Sequence, residues 1–155
     1  MTSLKINDQA PEFAGKDEMG KLIQSADFKG KKYAIYLYPK DSTPGCTVQA
    51  CNLRDNYALL QEHGIAIIGI SMDSETSHQK FIAKHELPFP LIADTEKEII
   101  ERFGVWAPKK FMGKEYNGIH RTTFVMDEAN TIRGIITKPK TKDHAAEILE
   151  IFQEN

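Results

Sequence analysis

The chain has 155 residues, of which 41% are hydrophobic and 27% are charged, and its formal net charge is −2. This composition is typical of one globular domain and excludes a disordered chain or a disulfide-dense scaffold. Because the net charge is small and no run approaches the roughly 18 apolar residues of a membrane span, we expect neither a nucleic-acid partner nor a membrane partner. We predict a single domain over residues 1–155 that acts as a monomer.

The first residues carry no recognisable targeting pattern. The start, MTSLKINDQAPEF, has neither the apolar region of a secretion signal nor the Arg-rich amphipathic pattern of a transit peptide. We therefore predict a cytoplasmic protein. In that reducing compartment, a pair of cysteines is more often catalytic or metal-binding than structural.

Apolar periodicity and turn residues predict an alternation of strands and helices. The predicted elements are a hairpin around residues 16–21, a strand at 32–39, a helix from Cys46 to the capping Gly64, a strand at 65–73, a helix at 74–87 with Ser74 as its N-cap, a strand at 90–94, a helix at 95–104, a loop rich in Gly, Pro and Lys, strands at 120–127 and 131–138, and a helix at 142–153.

This order predicts a three-layer α/β sandwich. Strands that alternate with helices form a parallel sheet with right-handed crossovers, and the closing hairpin adds antiparallel strands, so the central sheet is mixed. In such sheets ligands bind beyond the carboxyl ends of the strands. The loop 40–45 leaves the strand at 32–39 at such an end, so we expect a site there.

Both cysteines lie in the segment STPGCTVQAC, residues 42–51, five positions apart. Cys46 falls in the first turn of the predicted helix, where free N–H groups and the helix dipole favour a thiolate. Ionisation alone makes a poor catalyst. For any thiol, lowering the pKa from ~8.5 to ~6 raises the thiolate fraction at pH 7 about 30-fold but removes roughly 13-fold in intrinsic nucleophilicity.

A strong nucleophile at Cys46 therefore needs donors that stabilise the charge of the transition state. The candidates beside it are the Thr43 hydroxyl and the backbone N–H groups of Gly45 and Cys46. A cation from elsewhere in the chain would complete the site.

The segment YPKDSTPGCTVQAC, residues 38–51, resembles the active-site segment of peroxiredoxins. The spacing of its cysteines is similar to that of the bacterioferritin-comigratory, or PrxQ-type, branch. The likeness extends to GISMDSETSHQKFIAKHELPFPLIAD, RFGVW and GIHRTTFVMD, and so covers the chain from about residue 8 to the last helix. It implies a thioredoxin fold and a thiol-dependent peroxidase that needs no metal or organic cofactor.

The resemblance also implies a role for each matching residue. Cys46 becomes the peroxidatic cysteine, and Cys51 the resolving cysteine that forms a disulfide with it. Thr43 becomes the hydroxyl that binds thiolate and peroxide, Arg121 the cation against the thiolate, and Pro39 the ring that shields the pocket from water. The implied partners are hydrogen peroxide or an organic hydroperoxide and a thioredoxin-like reductant.

Two positions depart from the pattern of this branch. Gln49 stands where a Glu is usual, and Leu53 stands where an aromatic residue is usual. Neither position belongs to the residues that carry the chemistry. The amide of Gln49 nevertheless puts a carboxylate contact at the helix start in question.

Other functions remain open for a cysteine pair. A copper metallochaperone would use His120 as a third ligand, but cysteines five apart on a helix lie ~140° apart around its axis. A dithiol reductase would carry Cys-x-x-Cys. A non-enzymatic partner-binding module gives no reason for Thr43, Cys46 and Arg121 together.

The remaining polar signals are interpreted as surface. Four histidines are predicted to be solvated, and they are His63, His78, His85 and His144. Alternation along a strand places the His120 side chain on the face opposite Arg121. The KGKK cluster at 29–32 is interpreted as a solvated turn.

Overall fold

A five-stranded mixed sheet forms the centre of the molecule. The structure, a computed structural model, describes residues 2–153. In chain order its elements are β1 (Ala14–Lys16), β2 (Leu22–Gln24), a 3₁₀ helix (Ser25–Phe28), β3 (Lys32–Leu37), α1 (Pro44–Asp55), α2 (Tyr57–Glu62), β4 (Ile65–Ser71), α3 (Glu75–His85), β5 (Leu91–Ala93), α4 (Glu98–Arg102), β6 (Trp106–Phe111), β7 (Lys114–Ile119), β8 (Thr122–Met126), β9 (Ile132–Ile136) and α5 (His144–Gln153).

The strand β3 occupies the middle of this sheet, whose order is β5-β4-β3-β8-β9. The pairs β3–β4 and β4–β5 are parallel. The pairs β3–β8 and β8–β9 are antiparallel. The parallel strands come from crossover units and the antiparallel strands from the closing hairpin. The prediction of a thioredoxin fold with a mixed sheet is confirmed, as is the N-terminal hairpin of β1 and β2.

Each face of the sheet carries its own hydrophobic core. Successive side chains of a strand point to opposite faces. Tyr33, Ile35 and Leu37 accordingly pack with residues of α4 and of the N-terminal arm. Ala34, Tyr36 and Tyr38 instead pack with residues of α1, α2, α3 and α5, and Cys46 belongs to this second core.

The predicted first helix is in fact two helices. Asn56 separates α1 from α2 with φ −111° and ψ 13°. Its side chain donates to the Asn52 carbonyl at 2.9 Å and so competes with regular helical bonding. Gly64 follows α2 with φ 71°, as predicted for a glycine at a helix end. None of the described helices is long and apolar enough to cross a membrane.

The segment predicted as a loop after Gly104 forms a hairpin of β6 and β7. Its turn is made by Met112 and Gly113, whose φ values of 52° and 80° are both positive, as in a type I′ turn. Pro108 argues against a central strand in the sequence. It is tolerated here because both strands of a two-stranded hairpin are edge strands.

The topology brings two distant segments together. β3 and β8 are antiparallel, and Leu37 lies opposite Thr122. The carboxyl end of β3 therefore lies beside the start of β8. As a result, the loop that leads into α1 and the residue before β8, Arg121, meet at one edge of the sheet.

Candidate active site

Cys46 lies in the first turn of α1 and has 1% exposure. Thr43 is the N-cap residue, and Pro44 begins the helix. Proline suits this position because it lacks the N–H group that would have no helical acceptor. The N–H groups of Gly45 and Cys46 belong to the first turn, and together with the helix dipole they stabilise negative charge on Cys46 Sγ.

Arg121, which the resemblance makes the cation of the site, contacts both Cys46 and Gln49. Its Nη2 donates to Cys46 Sγ at 3.2 Å, and its Nη1 donates to the amide oxygen of Gln49 at 2.6 Å. Gly45 makes this approach possible, because a Cβ at that position would lie 3.1 Å from Nη2. The guanidinium thus reaches the thiol over the one residue of the helix start that has no side chain.

Gln49 fixes the orientation of Arg121. It lies one turn after Cys46 on the same face of α1 and has 0% exposure. Its amide oxygen accepts a hydrogen bond from Arg121 at a position where a Glu is usual in the branch. Unlike a Glu carboxylate, this amide adds no negative charge to the site. The Arg121 cation is therefore not shared with a carboxylate at this position. The Gln49 Nε2 has no hydrogen-bond partner among residues 2–153.

Pro39 and Thr43 belong to the segment between β3 and α1, and both are half-buried. The Thr43 hydroxyl donates to the Lys40 carbonyl at 2.8 Å. In this structure the hydroxyl stabilises the loop before α1, and its predicted bond to the Cys46 thiolate would require a different rotamer.

Cys51 lies in the second turn of the same uninterrupted helix. Both cysteines are free thiols, and Cys51 is half-buried whereas Cys46 is buried. On an ideal helix the Cα atoms of these residues are about 8.7 Å apart, while a disulfide needs about 7 Å or less. The Cys51 Sγ lies 3.8 Å from Nδ1 of His85 at the end of α3.

A buried polar network anchors the loop that enters α1. The Asp41 carboxylate accepts hydrogen bonds from Tyr38 at 2.6 Å, from Ser77 at 2.8 Å and from His78 Nδ1 at 2.7 Å. The Asp41 amide donates to Asp73 at 2.8 Å. Burial raises the pKa of Asp41, but the hydrogen bonds from His78, Tyr38 and Ser77 outweigh it, and the pKa lies below its ordinary value.

Both nitrogens of the buried His78 have partners. The Nε2 lies 3.0 Å from the Ile92 carbonyl, and the Nδ1 lies 2.7 Å from the Asp41 carboxylate. Asp41, Asp73 and His78 lie close enough together to hold a metal ion, but hydrogen bonds already engage their polar atoms.

Two of the four histidines predicted to be solvated are buried. His78 and His144 both have 0% exposure, so that prediction was wrong for them, whereas His63 is exposed as predicted. His144 is paired with Thr123 at 2.8 Å and with Glu147 at 2.9 Å. Burial lowers the pKa of His144, and Glu147 only partly opposes this.

The unpredicted hairpin adds a second cation near the thiol. Lys109 Nζ donates to the Ile119 carbonyl at 2.9 Å. Burial and then the charge of Arg121 lower the pKa of Lys109, while Cys46 opposes them. His120 Nε2 lies 3.0 Å from the Pro108 carbonyl of the same hairpin. The hairpin therefore borders the site beside Arg121.

Three contributors to the site were missed in the sequence: Asp41, His78 and Lys109. A signal was available for Asp41, which follows the buried strand β3 at the predicted ligand-binding edge of the sheet. No comparable signal marked the other two, because α3 and the hairpin join the site only through tertiary packing.

Comparisons with known proteins identify the family of this chain. Residues 6–135 match the AhpC/TSA family. A putative peroxiredoxin bcp of Haemophilus influenzae is 45% identical over 153 residues, with 99% of each chain covered. Peroxiredoxin Bcp of Bacillus subtilis is 43% identical over 152 residues, covering 98% of this chain and 97% of its own.

Solved structures agree with this result. The bacterioferritin comigratory protein of Xanthomonas campestris is 28% identical and superimposes with a TM-score of 0.87, with 99% of each chain covered. Sequence and fold thus match along the same length of chain. The chain belongs to the AhpC/TSA family, among its Bcp-type peroxiredoxins, and it is a thiol peroxidase, as the resemblance of residues 38–51 implies.

Proposed function

We propose that Cys46 is the peroxidatic thiol and Cys51 the resolving thiol of this peroxidase. The observation that carries the proposal is the 3.2 Å contact between Arg121 Nη2 and Cys46 Sγ at the start of α1. A guanidinium and a helix N-terminus both stabilise a sulfur anion there. Cys51, in the second turn, lies beyond the reach of the unpaired N–H groups.

In the first step the Cys46 thiolate attacks the terminal oxygen of a hydroperoxide. The S–O bond forms as the O–O bond breaks, and Cys46 becomes a sulfenic acid. The leaving hydroxide or alkoxide takes up a proton and departs as water or an alcohol. Arg121 stabilises the negative charge that moves onto the oxygens, which is where donors contribute most to the rate.

Cys51 then attacks the sulfenic sulfur. The S–S bond forms, the S–O bond breaks, and water leaves. A thioredoxin-like dithiol reduces the disulfide through a mixed disulfide and returns both thiols. Because an intact helix holds the two Cα atoms too far apart, we propose that residues 46–51 unwind during this step.

The substrates we propose are hydrogen peroxide and organic hydroperoxides. The Xanthomonas protein is described by its alkyl peroxide reduction activity. In this chain Pro39 and Thr43, in the segment that leads to Cys46, are both half-buried. A proline ring and a hydroxyl in that segment suit a substrate with an alkyl end and a polar peroxide end.

We also propose a cytoplasmic monomer in which residues 1–155 form one catalytic domain without a metal or organic cofactor. The two relatives named above match this chain over nearly their whole length. Both thiols of the proposed cycle lie in one helix, so the cycle needs no second copy of the chain. Sedimentation of the reduced protein tests the monomer, and fractionation of its native cell tests the location.

Peroxide turnover with a thioredoxin system tests the assignment of the two thiols. Cys46→Ser should abolish peroxide consumption, because it removes the nucleophile. Cys51→Ser should consume about one equivalent and stop as a sulfenic acid, because only the second step is lost. Equal loss of the first turnover in both variants would refute these roles.

A further inference from the structure

The proposed resolving step requires that Cys51 lose its thiol proton, and the first turn of α1 does not assist this loss. Only a thiolate attacks the sulfenic sulfur, and an ordinary cysteine side chain is about 3% thiolate at pH 7. The effect of the helix dipole falls off within the first turn, and Cys51 lies in the second. Arg121 contacts Cys46 and Gln49. Cys51 therefore needs a base of its own.

One imidazole faces the Cys51 sulfur. His85 Nδ1 lies 3.8 Å from Cys51 Sγ, within the range of a hydrogen bond to sulfur. His85 is the last residue of α3, so the contact joins two helices that are 34 residues apart in the chain. The imidazole is half-exposed, and water can exchange its proton.

Neighbouring residues hold this imidazole in position. The Phe81 ring packs edge-on against it, with 5.2 Å between ring centroids. Arg54 of α1 donates to the His85 carbonyl at 2.8 Å. Because Arg54 lies three positions after Cys51 on α1, this bond keeps the thiol and the imidazole in register.

We propose that His85 is the general base of the resolving step, which rests on the proposed role of Cys51. Nδ1 accepts the Cys51 thiol proton, and the thiolate attacks the Cys46 sulfenic sulfur. The S–S bond forms and the S–O bond breaks. The departing hydroxide takes a proton from the imidazolium or from water. Cys51 sulfur is oxidised by the step, and Cys46 sulfur is reduced.

Other titratable groups around this pair do not change state near neutral pH. Arg54 and Asp55 of α1 and Glu86 after α3 carry charges near it, and Arg54 pairs with Asp55 at 2.9 Å. Exposed carboxylates stay ionised between pH 6 and 9. Burial raises the pKa of Tyr36, on β3, well above its ordinary value, so it stays neutral.

The test measures the two steps separately after rapid mixing with one equivalent of hydrogen peroxide. Sulfenic acid and disulfide are trapped at set times and quantified by mass spectrometry. His85→Asn places an amide near the Nδ1 position without a titratable group, and His85→Gln provides a second variant. The matched control is His63→Asn, because His63 is exposed at the end of α2.

We expect Cys46 oxidation within twofold of wild type in every variant. Disulfide formation should fall about tenfold or more at pH 6.5 in both His85 variants, in the range of general-base effects. The deficit should shrink towards pH 9, because the solvent then supplies the base that the variants lack. Slower resolution should raise the fraction of Cys46 converted to sulfinic acid at high peroxide by a similar factor.

The outcomes separate this inference from the proposed function. Disulfide formation within twofold of wild type at pH 6.5 would overturn the role of His85. A deficit of equal size at every pH would also overturn it, because that result indicates a structural contact. If Cys51→Ser fails to accumulate sulfenic acid, the proposed function itself fails, whatever the His85 variants show.

Discussion

The two halves of α1 hold the same functional group in opposite surroundings. Cys46 is buried between a fixed guanidinium, a buried amide and the helix start. Cys51 is half-buried and faces a single imidazole at 3.8 Å. In the proposed cycle the attacking thiol is thus the one surrounded by fixed donors that can stabilise the transition state, whereas the proposed resolving thiol is held by one weak contact.

Hydrogen bonds to other helices hold the chain on both sides of the segment that contains the two cysteines. Before the helix, Asp41 ties the entering loop to α3 through the Ser77 and His78 side chains. After Cys51, Asn52 ties the helix to α5, accepting from the Ala145 amide at 2.8 Å and donating to the Lys142 carbonyl at 2.7 Å. The unwinding proposed for the resolving step is confined to the segment of α1 between these anchors.

The largest expected effect is a loss of stability when Asp41, which anchors the loop before α1, is replaced. Asp41→Asn removes the buried carboxylate that accepts from Tyr38, Ser77 and His78. Hydrogen bonds to a charged group contribute about 1.5–3 kcal/mol each, so the free energy of unfolding should fall by about 3 kcal/mol or more. Urea unfolding of the reduced protein measures this. Asp55→Asn is the matched control, because Asp55 is exposed, and should stay within about 0.5 kcal/mol of wild type. A loss below about 1 kcal/mol for Asp41→Asn would contradict the role of this carboxylate as a buried anchor.

The next largest effect is expected on the rate of Cys46 oxidation when Arg121 is replaced. Arg121→Lys keeps the charge but loses the planar fork that contacts Cys46 and Gln49 together. Second-order oxidation of Cys46 by peroxide should fall roughly 10²-fold or more, as for lost oxyanion donors. Arg102→Lys, on the exposed side of α4, should leave that rate unchanged. Conversion of sulfenic acid to disulfide should change little, and unchanged Cys46 oxidation would remove Arg121 from the site.

The sequence predicted most of what local patterns encode. The spacing of Ala50, Leu53, Tyr57 and Leu60 indicated a helix from Cys46, and the structure begins this helix two residues earlier, at Pro44. The resemblance of the cysteine segment and of HRTTF implied Cys46, Cys51 and Arg121 before any geometry was known. Such features depend on neighbours in the chain or on motifs.

Contacts between distant segments explain what the sequence could not reveal. His78 lies on a polar stretch of α3, and only the approach of the Asp41 loop makes it a buried partner. His144 is covered in the same way by Thr123 of β8. The hairpin of β6 and β7 was hidden because its lysines and Pro108 are typical of loops, and its two strands pair only with each other.

Oxidation should change only the segment between the two anchors. A Cys46–Cys51 disulfide cannot form across an intact helix, so backbone amides of residues 45–51 should exchange at least about tenfold faster in the oxidised protein. β3 and β4 should keep their protection, and so should α1 beyond Asn52. Hydrogen exchange with mass spectrometry measures this. An oxidised protein whose segment 45–51 is equally protected, or that is linked only between chains, would contradict the proposal.

The smallest expected effect is a change in how the free energy of unfolding depends on pH. Burial lowers the pKa of His144 below the value of about 6.5 that it has in the unfolded chain. Between these two values the unfolded chain binds more protons, so the free energy of unfolding decreases as the pH falls below about 6.5, by at most about 1.4 kcal/mol per pH unit. His144→Gln should flatten this slope, and His63→Gln should not.

Comparing the His144 and His85 variants separates an effect on stability from an effect on the resolving step. His85 is proposed to act on the rate of disulfide formation, whereas His144 acts on stability. His144→Gln should therefore leave the pH profile of disulfide formation unchanged. If His144→Gln instead shifted the profile of disulfide formation, the loss of resolution at low pH would come from opening of the fold around α5 rather than from protonation of the base.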